Sequence, residues 1–379
     1  MQRGGRSKDT WVLSDVPVNA AFSLLSTTVQ ADDLVGSRAN LPSRAAENLF
    51  WYGRYGERCD SAVRALRTAI VEVLDHALQP SDGVAPALAL VQRLGLIEAL
   101  HSAAETATVT DTDDDAAAAA AVRRGGASAI DTASAALMRA ATHPEGAVSQ
   151  RLHQLSRTAF NLRDRMSADN WRTLNRLAAD PVFQRGLSSS VRLPVALAWL
   201  DRAVTSMMTL SGFVLDGMTR SVGWRFLSIG RRVERLSHLC VTLQVATREG
   251  RAHGLDWLLD VCDSTGTYRS RYIVAPEWMP VLDMLLCDDT NPRSVAFQVK
   301  GLTEYIAKLE LSHGRFASDV LAPAQAALRD LRPHDLHPES PAVAQLLDQL
   351  RRCANSVSDE LTLKFFSHAG SRSVLSLVA

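Results

Sequence analysis

The sequence predicts an all-α protein, a multi-helix bundle of about ten helices. Apolar residues recur at helical spacing over several long segments, the longest near 43–77, 190–219 and 223–249. Convincing strand alternation is absent after residue 30. A Gly-Arg-x-x-Glu-Arg stretch occurs twice, at 53–58 and at 230–235, each time inside a helical pattern. The bundle is therefore expected to contain two related helices.

The composition is that of an ordinary globular chain. Its 379 residues are 46% hydrophobic and 22% charged, which is enough to bury a core. The formal net charge is zero, which argues against a non-specific nucleic-acid binder. The five cysteines form no Cys-x-x-Cys pair, so free thiols and a cytoplasmic location are expected. No apolar run approaches the ~20 residues that span a membrane, and no membrane contact is expected.

Residues 1–30 differ from the rest of the chain. A turn at 4–8 is followed by a strand-like run at 10–13, which ends at Ser14-Asp15. Such a strand has no sheet to join here, so the segment has the pattern of the tail of another domain. Residues 31–41 are predicted to be a polar linker because Gly36 and Asn40 interrupt any regular pattern. The helical domain is then expected over 42–379.

The first half of the helical domain begins with a long helix from Ser43 to about residue 77. A second helix is predicted over roughly 85–106. The low-complexity segment near 107–126, with an aspartate-rich run and six alanines, predicts a surface loop with some helix in the alanines. Helices are expected again over about 128–142 and from 147 to 165. Ser167 is predicted to cap the next helix, and Asp180-Pro181 is predicted to end it.

The elements become shorter beyond residue 250, with helical patterns near 257–261 and 268–273. Thr290-Asn291-Pro292 is expected to cap a helix that runs through residue 311. Two further helices, about 316–330 and 340–367, are predicted to close the chain.

The arginines of the repeated motif lie on stripes that face a core. Arg54 and Arg58 are followed on their stripe by apolar residues, and so are Arg231 and Arg235 on theirs. A guanidinium facing a core must meet carboxylates or carbonyls, because an unpaired buried charge costs several kcal/mol. We therefore expect the two helices to face each other and to share one polar cluster.

Three interpretations of that cluster stay open. The i, i+3 spacing of Arg54–Glu57 and Arg231–Glu234 would allow local pairs, and the network could simply lock two helices in register. Alternatively, the arginines could hold a carboxylate or a phosphate, because the planar guanidinium fits both groups. A catalytic role for one of the glutamates is the third interpretation. A sealed cluster would favour structure, and an open pocket would favour ligand binding.

Two more polar groups lie at predicted helix ends: Asp263, Tyr268, Arg269, Arg271 and Tyr272 form one, and Asp288, Asp289, Asn291, Arg293 and Gln298 form the other. Aspartate and asparagine usually cap helices at such positions. Arg293 would open a helix, where backbone N–H groups also favour an anion. The candidate anion- or ligand-binding residues are therefore Arg54, Glu57, Arg58, Arg231, Glu234, Arg235, Tyr268, Arg269, Arg271 and Arg293.

No pattern indicates a metal, a cofactor or a nucleophile. The ten histidines are scattered and form neither His-Glu-x-x-His nor the repeated Glu-x-x-His of a di-metal bundle. Gly-x-Ser-x-Gly is also absent from the sequence. A metal site and a cofactor are therefore not expected, and catalytic residues stay unassigned.

Residues 41–58, Leu-Pro-Ser-Arg-Ala-Ala-Glu-Asn-Leu-Phe-Trp-Tyr-Gly-Arg-Tyr-Gly-Glu-Arg, resemble the opening of the bacterial Alpha-E family. Further similar stretches are 167–171, 223–235, 268–272 and 291–298, so the resemblance spans about 41–370. The family is named for an all-helical domain with a Glu-Arg motif, and it has no assigned reaction. Gly56 departs from it, since the family usually has a larger apolar residue there. The glycine should weaken the helix by up to ~1 kcal/mol relative to alanine.

Residues 4–13 are similar to the last segment of circularly permuted ATP-grasp domains, which are often fused to, or encoded beside, Alpha-E domains. ATP-grasp enzymes join a carboxylate to an amine through an acyl phosphate. The resemblance implies an accessory or ligand-binding domain of a peptide-ligase-type system, with no reaction of its own. An ATP-grasp domain or protein would be its partner, and a peptide or phosphorylated small molecule its ligand.

Two alternatives to the accessory function stay open. The chain could be an enzyme that acts on a peptide or nucleotide through the arginine–glutamate cluster, or a purely structural assembly module. Thirty residues cannot form an ATP-grasp active site, so no ligase residues are assigned to this chain.

Overall fold

The computed structural model describes residues 41–79, 81–99, 115–186, 192–249 and 254–366, together with residues 11, 13, 15 and 17. The chain divides into two units, Met1–Asn40 and Leu41–Ala379. The predicted tail and linker therefore lie almost entirely outside the described residues. The described residues are helical without any strand, which confirms the prediction of an all-α bundle.

The helices are α1 Ser43–Leu78, α2 Val84–Arg93, α3 Asp115–Thr142, α4 Ala147–Phe160, α5 Ala168–Ala178, α6 Pro181–Arg185, α7 Leu193–Gly217, α8 Val222–Glu249, α9 Asp256–Val261, α10 Thr265–Arg271, α11 Trp278–Leu282, α12 Val295–His313, α13 Ser318–Asp330 and α14 Pro341–Leu361. π-Helical turns at Asp283–Cys287 and Thr362–Phe366 continue α11 and α14.

Helices α1 and α8, which carry the two copies of the motif, form the centre of the bundle. Among the helices that the structure describes, they contact each other more extensively than any other pair. Helices α2, α4 and α7 pack against α1, whereas α12 and α14 pack against α8. Both central helices bury apolar side chains on several faces, as expected for helices surrounded by others. In the described part of the chain, no helix is long and apolar enough to cross a membrane.

Local side-chain chemistry explains where several helices begin and end. The Ser167 hydroxyl accepts a hydrogen bond from the Asn170 N–H at 3.2 Å, which confirms the predicted cap of α5. Helix α2 ends at Arg93, well before the predicted residue 106. Gly95 lies just beyond it with φ of +63°, a conformation that favours glycine and ends a helix.

Helix α12 begins later than predicted. Its cap is Ser294, whose hydroxyl accepts from the Phe297 N–H at 3.0 Å, and not the Thr290–Pro292 segment. The Asn291 side chain instead accepts from the Arg293 N–H at 2.9 Å and donates to the Met284 carbonyl at 3.2 Å. These bonds hold residues 291–294 in a turn. Arg293 therefore precedes α12, and its expected place at the opening of the helix is wrong.

The predicted loop near 107–126 is helical backbone from residue 115 onward, because α3 includes the alanine run. Alanine has the highest helix propensity, so a polyalanine stretch readily continues the helix that follows it. Residues 101–114 lie outside the described residues. All five cysteines are described, and all are free thiols as predicted.

Candidate functional site

The first glycine of each motif brings α1 and α8 into direct backbone contact. A Cβ atom at Gly53 would overlap the carbonyl oxygen of Leu227, and one at Gly230 would overlap that of Phe50. Leu227 and Phe50 each precede the motif glycine of their own helix by three residues. The two contacts are therefore equivalent, and an approximate two-fold relation connects the two helices. Only glycine permits backbones to approach this closely.

Glu57 of α1 is held by the two motif arginines of α8. Its carboxylate accepts one hydrogen bond from Nε of Arg231, at 2.9 Å. It accepts two from Arg235, at 2.8 Å from Nε and 2.7 Å from Nη2. The second interaction is a bidentate pair, the strongest form of arginine–carboxylate contact.

Glu234 of α8 is held in the same way by the arginines of α1. Arg54 donates one hydrogen bond through Nε at 2.8 Å, and Arg58 donates two, at 2.7 and 2.9 Å. Each glutamate thus pairs across the helix interface and not with the arginine three residues away on its own helix. The expected polar cluster shared by two facing helices is confirmed.

Both glutamates are sealed from solvent, with 3% of Glu57 and 5% of Glu234 exposed. Burial raises the pKa of Glu57, but the guanidinium groups of Arg235, Arg231 and Arg293 outweigh it and hold the pKa at about 2. Burial likewise raises the pKa of Glu234, but Arg58 and Arg54 outweigh it, so that the pKa is lowered. Carboxylates held in their charged form in this way are weak bases near neutral pH.

The motif arginines are more buried than surface arginines, as expected. The exposed fractions are 30% for the Arg58 side chain and 18% for Arg235, against 66% for Arg172. The first arginine of each motif also reaches a serine on a third helix. Arg54 donates to Ser358 of α14 at 2.9 Å, and Arg231 donates to Ser211 of α7 at 3.2 Å.

The Glu57 end of the cluster continues into a second network that includes Arg293. This guanidinium lies 2.9 Å from a carboxylate oxygen of Asp263 and 3.6 Å from one of Asp60. Arg64 meets the same two carboxylates, at 3.1 Å for Asp60 and 3.2 Å for Asp263. Only 2% of Arg64 is exposed, and its Nη2 has no hydrogen-bond partner. One buried guanidinium N–H group is therefore unsatisfied.

A cavity of about 40 Å³ lies beside this second network. Arg64 and Asp60 line it from α1, Arg235 and His238 line it from α8, and Arg293 lines it from the turn before α12. The remaining lining residues are Ser61, Ala65, Leu90, Leu94, Leu239, Thr242, Val261 and Cys262. We call this space the Arg64 cavity.

Arg151 of α4 extends the Glu234 end. It donates to the carbonyl oxygens of Ala147 and Leu94, at 3.0 and 3.2 Å, and its buried Nε has no partner. Burial lowers the pKa of Arg151, and the neighbouring Arg58 lowers it further. Two arginines in the interior, one at each end, thus carry an unsatisfied N–H group.

We define the arginine cluster as these interior arginines with the carboxylates that they surround. Within the described residues it contains seven arginines, Arg54, Arg58, Arg64, Arg151, Arg231, Arg235 and Arg293, and four carboxylates, Glu57, Asp60, Glu234 and Asp263. Positive charge exceeds negative charge by three. Buried charge is costly without a partner, so this excess favours a bound anion.

The structure does not bring the other predicted residues into the cluster. Tyr268 is buried, donates its hydroxyl to the Ala275 carbonyl at 3.1 Å and accepts from the Glu277 N–H at 3.2 Å, so it anchors the chain after α10. Arg271 pairs with Asp288 at 2.6 Å, and Arg269 is exposed. None of the three is hydrogen-bonded or ion-paired to the cluster. In the described part of the chain, no group of three or more His, Cys, Asp or Glu could hold a metal ion.

Sequence reasoning missed Arg64, Asp60, Arg151 and His238. The sequence does contain a pattern that indicates Arg64, because this arginine interrupts an apolar run on a helix and follows Asp60 by four residues. That spacing is typical of an ion pair on one helix face. Arg151 and His238 carry no comparable signal, since their importance depends on which helices pack together.

Comparison with known proteins agrees with this geometry. A family model named Alpha-E, described as a predicted α-helical domain with a conserved ER motif, matches residues 41–366. Uncharacterised proteins of Mycobacterium bovis and of two Mycobacterium tuberculosis strains are 27% identical over 380 residues. The match covers 94% of this chain and 41% of each relative, so the chain spans about two fifths of their length. No solved structure matches. Both Glu-Arg pairs, Glu57-Arg58 and Glu234-Arg235, lie inside the matched range, and the chain belongs to the Alpha-E family.

Proposed function

We propose that the chain is an accessory, ligand-binding helical domain of an ATP-grasp peptide-ligase-type system, without a reaction of its own. The observation that carries this proposal is the charge of the arginine cluster, seven arginines against four carboxylates. The intermediates and substrates of such a ligase are acyl phosphates and carboxylates. Guanidinium groups recognise both through paired N–H donors.

Two sequence relationships support a partner of this kind. Residues 4–13 resemble the end of a circularly permuted ATP-grasp domain. About three fifths of each mycobacterial relative lies outside the match, which leaves room for a further domain. An ATP-grasp domain beside the helical domain would account for both observations.

A structural role is favoured for one part of the cluster. Glu57 and Glu234 are sealed, each accepts three hydrogen bonds, and each joins α1 to α8. These two glutamates therefore lock the helices together. Ligand binding is proposed for the guanidinium groups around the Arg64 cavity, one of which, Arg235, also belongs to a locked pair, so the two roles share one cluster.

The proposal is tested with three purified samples: this chain, a circularly permuted ATP-grasp protein of the same organism, and the two together. ATP turnover, peptide-bond formation and complex formation by size-exclusion chromatography are measured on each. We expect no ATP turnover by the chain alone, a complex with the partner, and altered ligation when both are present. An unrelated helical protein added at the same concentration controls for non-specific effects.

Two results would overturn the proposal. Robust ATP turnover or ligation by the isolated chain would make it an enzyme in its own right. A well-folded chain that neither binds the ATP-grasp protein nor changes its activity would remove the accessory function.

A further inference from the structure

We propose that the Arg64 cavity is a binding site for one small oxyanion, a single phosphate or carboxylate group. The proposal deepens the function proposed above and rests on it only for the biological source of that group. Binding of the oxyanion itself can be measured on this chain alone.

The unsatisfied N–H of Arg64 is the first observation. The side chain is almost fully buried, its Nε and Nη1 meet Asp60 and Asp263, and its Nη2 meets no acceptor. Leaving a buried, charged donor without an acceptor is unfavourable, and native proteins rarely tolerate it without a water or an ion. An acceptor in the adjoining cavity would satisfy this donor.

The composition of the wall is the second observation. Three guanidinium groups, those of Arg64, Arg235 and Arg293, face one carboxylate, that of Asp60. The hydroxyl-bearing Ser61 and Thr242 also line the cavity and could donate. Each guanidinium already has a carboxylate partner, since Arg235 pairs with Glu57 and the other two share Asp60 and Asp263. The wall therefore offers guanidinium N–H donors, not uncompensated charge. Guanidinium donors on one wall suit the oxygens of a carboxylate or phosphate group.

The volume limits the size of the ligand. A cavity of about 40 Å³ holds about three waters, because one water needs roughly 10–15 Å³ on this measure. One phosphate or carboxylate group has a comparable size, whereas a nucleotide or a peptide is far too large. A larger substrate would therefore enter with a single charged end.

Asp263 is expected to compete with the bound oxyanion. Its carboxylate pairs with both Arg64 and Arg293, but the side chain is 42% exposed and can turn towards solvent. Its backbone φ is +52°, a conformation that asparagine adopts as readily as aspartate. Asp263→Asn should therefore remove the competing charge without disturbing the backbone.

The experiment measures the affinity of the full chain for inorganic phosphate by calorimetry, at constant ionic strength in chloride. Acetate is titrated in parallel to separate phosphate from carboxylate recognition. Arg64→Lys keeps the charge but removes the planar group with the unsatisfied donor. Arg67→Lys is its matched control, since Arg67 lies on the same helix, pairs with Asp260 at 3.1 Å and does not line the cavity.

We expect saturable binding of at least one of the two anions. The affinity should fall by about tenfold or more in Arg64→Lys, rise severalfold in Asp263→Asn and stay within about twofold in Arg67→Lys. Because Arg64→Lys should weaken binding and Asp263→Asn should strengthen it, either variant alone still tests the proposal if the other does not fold. Ser61→Leu places a larger side chain in the cavity without removing a charge, and it should also abolish binding.

Absence of saturable binding, or equal affinities in all variants, would show a water-filled cavity only and overturn the inference. Its failure is distinguishable from failure of the proposed function. A chain that binds its ATP-grasp partner but no oxyanion refutes the cavity alone. A chain that binds the oxyanion but no partner refutes the accessory function alone.

Discussion

The two ends of the arginine cluster use the same hydrogen bonds in different surroundings. At the Glu234 end, the arginines lie against aromatic rings: Arg54 is 5.2 Å from the ring centre of Trp51, and Arg58 is 5.7 Å from that of Tyr55. At the Glu57 end, Arg293 adds a further charge beside the arginines of α8, and Arg235 borders the Arg64 cavity.

The different surroundings of the two ends show that the repeated motif and the candidate binding site are distinct features. Stacked rings stabilise a cation without offering it a new partner, so Arg54 and Arg58 are complete as they stand. The Glu57 end gains the charge of Arg293 and a cavity that contains an unsatisfied donor. The repeated motif therefore builds the helix pair, and the residues added at one end supply the candidate function.

The largest expected effect comes from removing a motif glutamate. Glu57→Ala should lower the free energy of unfolding by roughly 3–5 kcal/mol, because it leaves several buried arginines without their carboxylate. Glu234→Ala should fall towards the lower end of that range, since Arg58 is 30% exposed and can be hydrated. Chemical denaturation of the purified variants measures both values.

Glu304→Ala is the control for that experiment, because Glu304 is exposed on α12. It should change stability by no more than about 0.5 kcal/mol. Equal stability of the Glu57, Glu234 and Glu304 variants would contradict the structural role of the motif.

A smaller loss is expected when the helices are forced apart. Gly230→Ala and Gly53→Ala each place a Cβ against a backbone oxygen of the opposite helix, which should cost roughly 1–3 kcal/mol. The two losses should be similar because the contacts are equivalent. Thermal melting of the two variants tests this half of the comparison.

Gly56 offers the matched control on the same helix. Apart from its chain neighbours and the backbone of α1 itself, no atom lies within 4 Å of a Cβ built there, so Gly56→Ala should stabilise the chain by up to ~1 kcal/mol. If Gly56→Ala lost as much stability as Gly53→Ala, the close contact between α1 and α8 would not be the cause of the loss.

The smallest effect concerns the titration of His238. Burial lowers the pKa of His238 below its ordinary 6.5, with Arg151 and Arg58 adding to the effect and Glu234 and Glu57 opposing it. The unfolded chain then binds a proton that the folded chain rejects, so stability should be full above about pH 6.5 and fall below it. Glu57, with its pKa of about 2 against an ordinary 4.5, adds a second loss as the pH falls below about 4.5.

Unfolding curves from about pH 8 to about pH 3 at constant ionic strength resolve the two steps. His238→Gln should remove the upper step and leave the lower one. An upper step that persists in this variant would assign it to another group.

The sequence predicted the all-helical fold, the facing of α1 and α8, and the shared polar cluster, because all three follow from periodicity and from the cost of burying a charge. It also singled out the six motif residues and Arg293. The partners remained ambiguous, since i, i+3 spacing permits local pairs as well as pairs across two helices.

The remaining features depend on contacts between residues far apart in the chain. The glycines at 53 and 230 have a clear role only once two helix backbones touch. The Arg64 cavity combines residues from α1, α8 and the turn before α12. The delayed start of α12 has a similar cause, since a buried hydrogen bond from Asn291 to Met284 outweighs the local preference for proline at a helix start.

The reciprocal glycine contacts also restrict how the bundle can move. If α1 slid along α8 so that Leu49, Phe50 or Glu57 took the place of Gly53, its Cβ would clash with the Leu227 carbonyl oxygen. Ratchet-like shifts of one helix past another, a common means of conformational switching, are thus disfavoured for this pair. Any ligand of the cluster must be accommodated by rotamer changes of arginines on a fixed frame. Such a preorganised frame loses little conformational entropy on binding.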